Sequence, residues 1–192
     1  LAAGRSERMG EPKGLLQYRG KTFWEHSTDA IAALEPDLSE AVVSPELERE
    51  TGRADGYSSR LVNEEPERGQ LYSLKLALAD LSEQETAVEG AYLFLLDNQG
   101  DLEERAARLR QQVEAGPGRV LAAGHQGKPG HPIWLPARIW GGIMRYEGDG
   151  GLRDFLSSAS ELTEVVESGS RWALEDIDRP EEFQEFLREF SP

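Results

Sequence analysis

The order of apolar and amphipathic segments is the feature that most constrains the fold of this chain. Apolar runs typical of strands alternate with amphipathic stretches typical of helices over the first 115 residues. The predicted strands are Ala41–Ser44, Leu61–Asn63 and Ala91–Leu96, and the predicted helices are 22–35, 70–81 and 101–115. Such alternation predicts a three-layer α/β fold, in which a mostly parallel sheet is covered by helices on both faces.

The second part of the chain has a looser pattern. After a stop at Gly116-Pro117-Gly118 and a strand at Arg119–Ala123, the sequence becomes rich in glycine and proline. Further elements are predicted as helices near 137–145, 151–158 and 180–190 and a strand at 162–166. A length of 192 residues without repeats or linkers favours a single domain, 1–192.

Composition excludes several functional classes. Acidic residues outnumber basic ones by 36 to 21, and a net charge of −15 disfavours nucleic acid and anionic membranes as partners. The absence of cysteine excludes a disulfide framework and a thiolate nucleophile. No apolar run approaches the roughly 18 residues of a membrane span. We therefore expect a soluble, cytoplasmic protein without a signal peptide before Leu1.

The segment Leu1–Lys13 has the composition of a triphosphate-binding loop. Its small residues are Ala2, Ala3 and Gly4, and its positive residues are Arg5, Arg8 and Lys13. Small residues let backbone N–H groups approach a polyanion, while the cations offset its charge. The spacing is neither a P-loop nor a dinucleotide fingerprint. On composition alone, a solvated surface loop remains the alternative.

This loop resembles the signature L-A-(A/G)-G-x-S-x-R-M-G-x-x-K of the molybdenum-cofactor nucleotidyltransferases, within the nucleotide-diphospho-sugar transferase superfamily. The fixed positions are filled by Leu1, Ala2, Ala3, Gly4, Ser6, Arg8, Met9, Gly10 and Lys13. The resemblance implies a Rossmann-like nucleotidyltransferase fold with a nucleotide half at about 1–100 and an acceptor half at about 101–192. It also implies that the backbone of Leu1 to Gly4 holds base and ribose, while Arg8 and Lys13 act on the phosphates.

Two further expectations concern this loop. The Ala-Ala-Gly form implies CTP rather than GTP as the donor, through a steric contact of the Ala3 methyl group. We also expect Lys13 to face solvent until the nucleotide binds.

The chain begins where the first strand of such a sheet would end, so an intact protein is expected to carry about five more apolar residues there.

Asp97 directly follows the most apolar predicted strand, where open α/β sheets collect their ligands. The residue could alternatively cap the helix that begins near Asp101. The resemblance implies that Asp97 is a catalytic residue and a ligand of Mg²⁺. The family continues this site with Gln or Met and then Pro, whereas this chain has Asn98-Gln99-Gly100. The lost proline leaves open what holds the loop rigid.

Three other segments match weaker family motifs. Asn63 and Ser73, in the pattern N…G-x-x-x-S-L, are implied to lie beside the nucleotide, although both are also ordinary turn residues. His131, in Gly127–Pro132, matches a G-x-x-G-H-P loop that faces the acceptor, or it hydrogen-bonds within the loop. Asp178, similar to the second acid of D-I-D-T-P-E-D, is implied on the metal or acceptor side and is also expected to cap the last helix.

The predicted function is therefore Mg²⁺-dependent transfer of CMP, or GMP, from the nucleoside triphosphate to the phosphate of a molybdopterin-type acceptor, with release of pyrophosphate. The nucleophile is already an anionic phosphate, so no strong general base is required. One alternative is a nucleotidyltransferase for sugar phosphates or other small phosphates. Another is a non-catalytic nucleotide-binding paralogue that serves a molybdoenzyme or its chaperone.

Overall fold

The computed structural model describes residues 1–51, 56–84, 88–116, 118–158 and 163–190. The strands are β1 Gln17–Tyr18, β2 Lys21–Thr22, β3 Glu40–Val43, β4 Ser59–Val62, β5 Gly90–Leu93, β6 Val120–His125, β7 Lys128–Pro136 and β8 Thr163–Glu167. The helices are α1 Phe23–Ala32, α2 Pro45–Thr51, α3 Gln70–Ser82, α4 Leu102–Ala115, α5 Trp140–Arg145, α6 Gly151–Ser158 and α7 Pro180–Phe190. The predicted α/β class is confirmed, while Pro117 and residue 162 lie outside the described residues.

Strands β3 and β4 form one parallel pair, and the order β5-β7-β6-β8 forms a second group. Leu1 and Ala2 connect the two groups. The Leu1 backbone nitrogen donates to the Phe94 carbonyl at 2.5 Å, and the Ala2 N–H donates to the Val42 carbonyl at 2.7 Å. The segment Leu1–Lys13, called the first loop below, therefore leaves the sheet at its middle, beside the carboxyl end of β5.

Strand β7 is the main departure from the predicted architecture. The glycine- and proline-rich segment is a nine-residue strand, antiparallel to both β5 and β6, whereas β6 and β8 pair in parallel. Its last five residues are all buried, so the strand shows no period-2 alternation. Position between two strands, rather than its own propensity, holds this segment extended.

Helix α7 anchors the C-terminal part of the chain against the first loop. Helix α1 begins at a capping box in which Thr22 and Glu25 hold each other's backbone N–H groups. Its Phe23 shares a buried cluster with Met9 of the first loop and with Ile177, Phe186 and Phe190. This apolar contact brings the segment before α7 to the same edge of the sheet as Lys13 and Asp97.

Within the described ranges, no helix combines the length and apolarity that crossing a bilayer would need.

Candidate active site

A cavity of about 590 Å³ opens at the edge of the sheet where the first loop leaves it. Nine of the residues predicted from sequence line it: Leu1, Ala2, Ala3, Gly4, Arg8, Lys13, Ser73, Asp97 and Asp178. A larger, mostly apolar cavity of about 850 Å³ is lined by residues of β3 and β5, and its lining shares Leu1 and Ala2 but none of these charged residues. The charged cavity is therefore the candidate active site.

An ion-pair network joins the first loop to the carboxylates of the cavity. The Lys13 ammonium donates to Asp97 Oδ2 at 2.8 Å and also to Asp178 Oδ1. Arg8 donates to the other oxygen of Asp178 at 2.6 Å. The Lys13 side chain is only 12% exposed, so the expectation that it faces solvent is wrong. The two carboxylates compensate its buried charge, which explains why the ammonium lies inside.

Burial and these ion pairs together shift the pKa values of Lys13 and Asp178. Burial would lower the pKa of Lys13, but Asp97 and Asp178 raise it above its usual value. Burial alone would raise the pKa of Asp178, but the hydrogen bonds and charges of Lys13 and Arg8 outweigh burial and lower this pKa below its usual value. Loss of hydration, followed by the Asp97 charge, raises the pKa of Asp176 to about 6. Lys13 and Asp178 thus stay charged at neutral pH.

The first loop is folded tightly around Ser6. The Lys13 N–H donates to Ser6 Oγ at 3.1 Å, and the N–H groups of Met9 and Gly10 donate to the Ser6 carbonyl. A Cβ placed on Gly4 would have no atom within 4 Å, so this position borders open space. These contacts fix the loop without filling the cavity.

The first four residues contribute unequally to the cavity. The backbone groups of Leu1 and Ala2 are used in sheet hydrogen bonds, as described above. Among the described residues, the N–H groups of Ala3 and Gly4 donate to no protein acceptor. The two N–H groups are therefore the ones in this quartet that can meet a ligand oxygen.

The side chain of Ala3 packs into the core. Ala3 is 5% exposed and belongs to a core cluster with Val42 and Ala77. The steric contact expected of its methyl group is therefore not supported by the packing. An effect of this residue on nucleotide choice would act through the position of the backbone.

Asn63 supports the cavity from behind. Its amide nitrogen donates to Ser73 Oγ at 2.9 Å, and its amide oxygen accepts the Glu65 N–H at 2.8 Å. Asn63 is 1% exposed and does not line the cavity, whereas Ser73 does. Asn63 thus stabilises a turn through Glu65, and it also contacts Ser73, which lines the cavity.

The structure shows whether the carboxylates of Asp97 and Asp178 cap a helix or face the cavity. The residue at the cap position of α4 is Asp101, while the Asp97 carboxylate pairs with Lys13. At the start of α7, Glu182 accepts the N–H groups of Asp178 and Arg179 at 2.7 and 2.9 Å. The expected cap role of the Asp178 side chain is therefore wrong, because its two oxygens face Lys13 and Arg8.

His131 is not brought to the cavity. It lies in β7, and its carbonyl accepts a hydrogen bond from Arg105 at 2.5 Å. Burial lowers the pKa of the imidazole to about 3, so the ring is neutral at physiological pH. His131 does not line the charged cavity together with the other predicted residues.

Several residues of this region were not singled out from the sequence. One of them is Glu67, which lines the cavity and pairs at 2.8 Å with Arg5, a cation that the sequence pattern already indicates. A more telling case is Arg105, which is 1% exposed on the buried face of α4. Its spacing among apolar residues of that helix is a signal that sequence reasoning could have used.

The carboxylates of the cavity suit a hard divalent cation. Asp97 and Asp178 both contact one ammonium group, so their oxygens converge on a single point. In the part of the chain that the structure describes, no cluster of three or more acidic, histidine or cysteine residues forms a metal cage. Two carboxylates completed by water and phosphate oxygens are typical of Mg²⁺ with nucleotides. The residues present therefore fit this ion.

Known proteins that resemble this chain include the following. Rv0371c of Mycobacterium tuberculosis H37Rv is 25% identical with a TM-score of 0.78, covering 97% of this chain and 95% of that chain, and another structure of Rv0371c is a complex with manganese. Nicotine blue oxidoreductase of Paenarthrobacter nicotinovorans is 26% identical over 97% of this chain and 94% of the relative. The bifunctional protein GlmU of Bifidobacterium longum is 37% identical over 43% of this chain, and the match spans only 19% of that relative's length.

The characteristic sequence pattern of one family covers most of the chain. It matches residues 1–165, which include the first loop, Asp97 and strand β7. The loop, its cavity and the α/β sheet agree with this assignment, as does the similarity to Rv0371c along nearly the whole chain. The chain belongs to the MobA-like NTP transferase domain family.

Proposed function

We propose that this protein transfers the nucleoside monophosphate of CTP, in preference to GTP, to the phosphate of a molybdopterin-type acceptor, with Mg²⁺ as cofactor and pyrophosphate as the second product. One observation carries the proposal. Lys13 lies between Asp97 and Asp178 beside Arg8, in a cavity that is also lined by Gly4. This arrangement places cations for phosphates and carboxylates for a divalent ion around one space.

The triphosphate is bound by the first loop. Its oxygens compete with Asp97 and Asp178 for Lys13 and with Asp178 for Arg8, and the N–H groups of Ala3 and Gly4 donate to it. The two carboxylates can bind a cation by displacing Lys13, and they bind it more tightly when Lys13 has moved to the phosphates. Bound there, Mg²⁺ would offset phosphate charge and polarise the α-phosphoryl group. The manganese complex of Rv0371c supports such a site.

The reaction is a displacement at the α-phosphorus. An acceptor phosphate oxygen forms a bond to this phosphorus as the bond to the β-phosphate oxygen breaks in line with it. Negative charge grows on the departing pyrophosphate, where Lys13 and Arg8 stabilise it. The nucleophile carries its own charge, so the chain needs no general base, and the neutral His131 is not asked to supply one.

The acceptor is proposed from the resemblance of the first loop and from the family. Asp178 lines the cavity, where it can orient the acceptor as well as hold the cation. His131 is proposed to shape the acceptor side indirectly, from within β7. The dinucleotide product would then pass to a molybdoenzyme or its chaperone.

A product assay tests this function. The protein is incubated with Mg²⁺, molybdopterin and either α-labelled CTP or α-labelled GTP, and both pyrophosphate and labelled dinucleotide are measured. Parallel reactions contain a sugar 1-phosphate in place of molybdopterin. We expect molybdopterin with CTP to be the most productive pair. Faster turnover of the sugar phosphate would instead assign the sugar-phosphate activity.

The same assay with two matched variants isolates the metal site. Asp97→Asn removes one negative charge and is expected to lower the rate on the order of a hundredfold, or to require far more Mg²⁺. Asp101→Asn makes the same change at the start of α4 and is expected to react like wild type. Tight CTP binding without turnover by any acceptor would make the protein a nucleotide-binding paralogue.

A further inference from the structure

The buried guanidinium of Arg105 contacts the two residues that directly follow Asp97. It donates to three neutral oxygens: Asn98 Oδ1 at 2.6 Å, the Gln99 carbonyl at 2.6 Å and the His131 carbonyl at 2.5 Å. Although burial lowers its pKa to about 10, Arg105 remains charged at neutral pH. A buried charge of this kind requires all of these acceptors, because water cannot replace them.

Arg105 determines the orientation of the Asn98 amide. An amide oxygen only accepts, so Oδ1 must face the guanidinium and Nδ2 must face the opposite side. On that side Nδ2 donates to the Glu175 carbonyl at 3.1 Å, with the Ala173 carbonyl and Asp176 Oδ1 each at 3.4 Å. Asn98 is 1% exposed. It thereby joins the segment after β5 to the segment before α7.

A backbone hydrogen bond continues this connection. The Ile177 N–H donates to the Asp97 carbonyl at 2.8 Å. Asp97 precedes Asn98 and Asp178 follows Ile177, so each carboxylate is attached directly to a residue of the connection. Since two chain segments are joined side by side, the distance between the two carboxylates depends on these hydrogen bonds.

We propose that Asn98 and Arg105 are positioning residues, which fix the separation of the Asp97 and Asp178 carboxylates and thereby set the affinity of the site for a divalent cation. This inference rests on the proposed function, since it takes the two carboxylates as the cation site. It also explains how the loop is held without a proline after Asp97. The rigidity comes from a side-chain network centred on a buried arginine.

A binding experiment separates positioning from general stability. Mn²⁺ is titrated into the protein without nucleotide, and free Mn²⁺ is followed by its electron paramagnetic resonance signal. Asn98→Ala and Arg105→Met are expected to weaken Mn²⁺ binding tenfold to about a hundredfold, the usual range for residues that orient metal ligands. Melting temperatures are measured in parallel.

Ser27→Ala is the matched control. Ser27 is 5% exposed and accepts a hydrogen bond from Gln99 at 3.0 Å, on the α1 side of the same loop. Its loss removes a buried hydrogen bond without touching the connection to Glu175. We expect this variant to melt earlier than wild type and to bind Mn²⁺ normally. If Asn98→Ala does not fold, Asn98→Ser takes its place in the same titration.

The outcomes distinguish this inference from the proposed function. Normal Mn²⁺ affinity in Asn98→Ala, together with weakened binding in Asp97→Asn, would overturn the positioning role alone. Unchanged binding in Asp97→Asn would overturn the metal site on which both rest. Equal loss of Mn²⁺ affinity in Asn98→Ala and Ser27→Ala would also overturn the inference, because the effect would then follow stability rather than geometry.

Discussion

The first loop and strand β7 both contain glycines within family-like motifs, yet these glycines serve opposite purposes. A Cβ on Gly4 would meet no atom within 4 Å, whereas a Cβ on Gly130 would lie 1.9 Å from the Ala173 carbonyl oxygen. The first glycine borders space for a ligand, and the second lets two backbone segments touch. The same residue type in two motifs therefore indicates binding in one region and packing in the other.

The charged residues of the two regions differ in the same way. In the first loop, Lys13 and Arg8 keep their charges and pair with carboxylates that a ligand could replace. In β7, His131 is neutral, and its carbonyl is committed to Arg105. The comparison predicts that changes in the first loop lower turnover or ligand binding, with or without an effect on stability, whereas changes in β7 lower stability.

The largest expected effect is that of Lys13→Ala on turnover. The loss of one charged contact to a transferring phosphoryl group costs about 3 kcal/mol, on the order of a hundredfold in kcat/KM. Because the ammonium also separates Asp97 from Asp178, we expect a lower melting temperature as well. Pyrophosphate release and thermal melting measure the two effects. Lys21→Ala, which removes an exposed partner of Asp29, is the control, and full activity of Lys13→Ala would break the comparison.

The next effect sets the two glycines against each other. Gly130→Ala forces a methyl group into a backbone oxygen and is expected to destabilise the protein by about 1–3 kcal/mol or more. Gly4→Ala is expected to melt like wild type and to bind CTP more weakly, since its methyl group occupies ligand space. Thermal melting and calorimetric titration of CTP measure the pair. Equal stability of both variants would contradict the distinction.

A smaller effect concerns pH and Asp178. Its pKa is lowered in the folded protein, so its ion pairs stabilise the fold above the unfolded pKa of about 3.9, and this contribution is lost as the pH falls through the folded value. Asp178→Asn is expected to cost about 1–2 kcal/mol at neutral pH. Urea unfolding at several pH values should show this difference shrinking below pH 4. A difference independent of pH would exclude the ion pairs as its cause.

The smallest expected effect is that of Ala3→Gly on nucleotide choice. A single methyl group supports about 1–3 kcal/mol of discrimination when it touches the ligand. Since Ala3 packs against the core, we expect the lower end of that range, a narrowing of the CTP preference by about tenfold or less. Calorimetric titration of CTP and GTP measures it. Equal affinities in the wild type would remove the basis for cytidylyl transfer.

The sequence predicts features that depend on local patterns, and it does not predict features that depend on contacts between distant parts of the chain. The α/β class and helices such as α3 and α4 depend on local periodicity, and the local pattern was enough to predict them. The structure brings Lys13, Asp97 and Asp178 together although they are far apart in the chain, and the family resemblance had indicated all three. Their mutual ion pairs could not be predicted, because they depend on how α7 packs against the first loop.

Strand β7 and Arg105 escaped prediction for a related reason. The buried half of β7 lacks alternation and contains prolines, so only its neighbours β5 and β6 explain its extended conformation. An arginine in a helix is usually exposed, and its burial here depends on three acceptors from two separate segments, the loop after β5 and strand β7. Both features belong to tertiary structure, which a single sequence does not display.

The balance of charge inside the cavity links its ligands thermodynamically. Two cations, Lys13 and Arg8, compensate two anions, Asp97 and Asp178. A polyanion that takes the cations leaves both carboxylates without compensation in a protein of net charge −15, and a divalent ion that joins the carboxylates displaces a lysine in need of an anion. Each ligand thus removes the cost of binding the other. Their coupling free energy is reciprocal, so CTP and Mg²⁺ are expected to increase each other's affinity by the same factor.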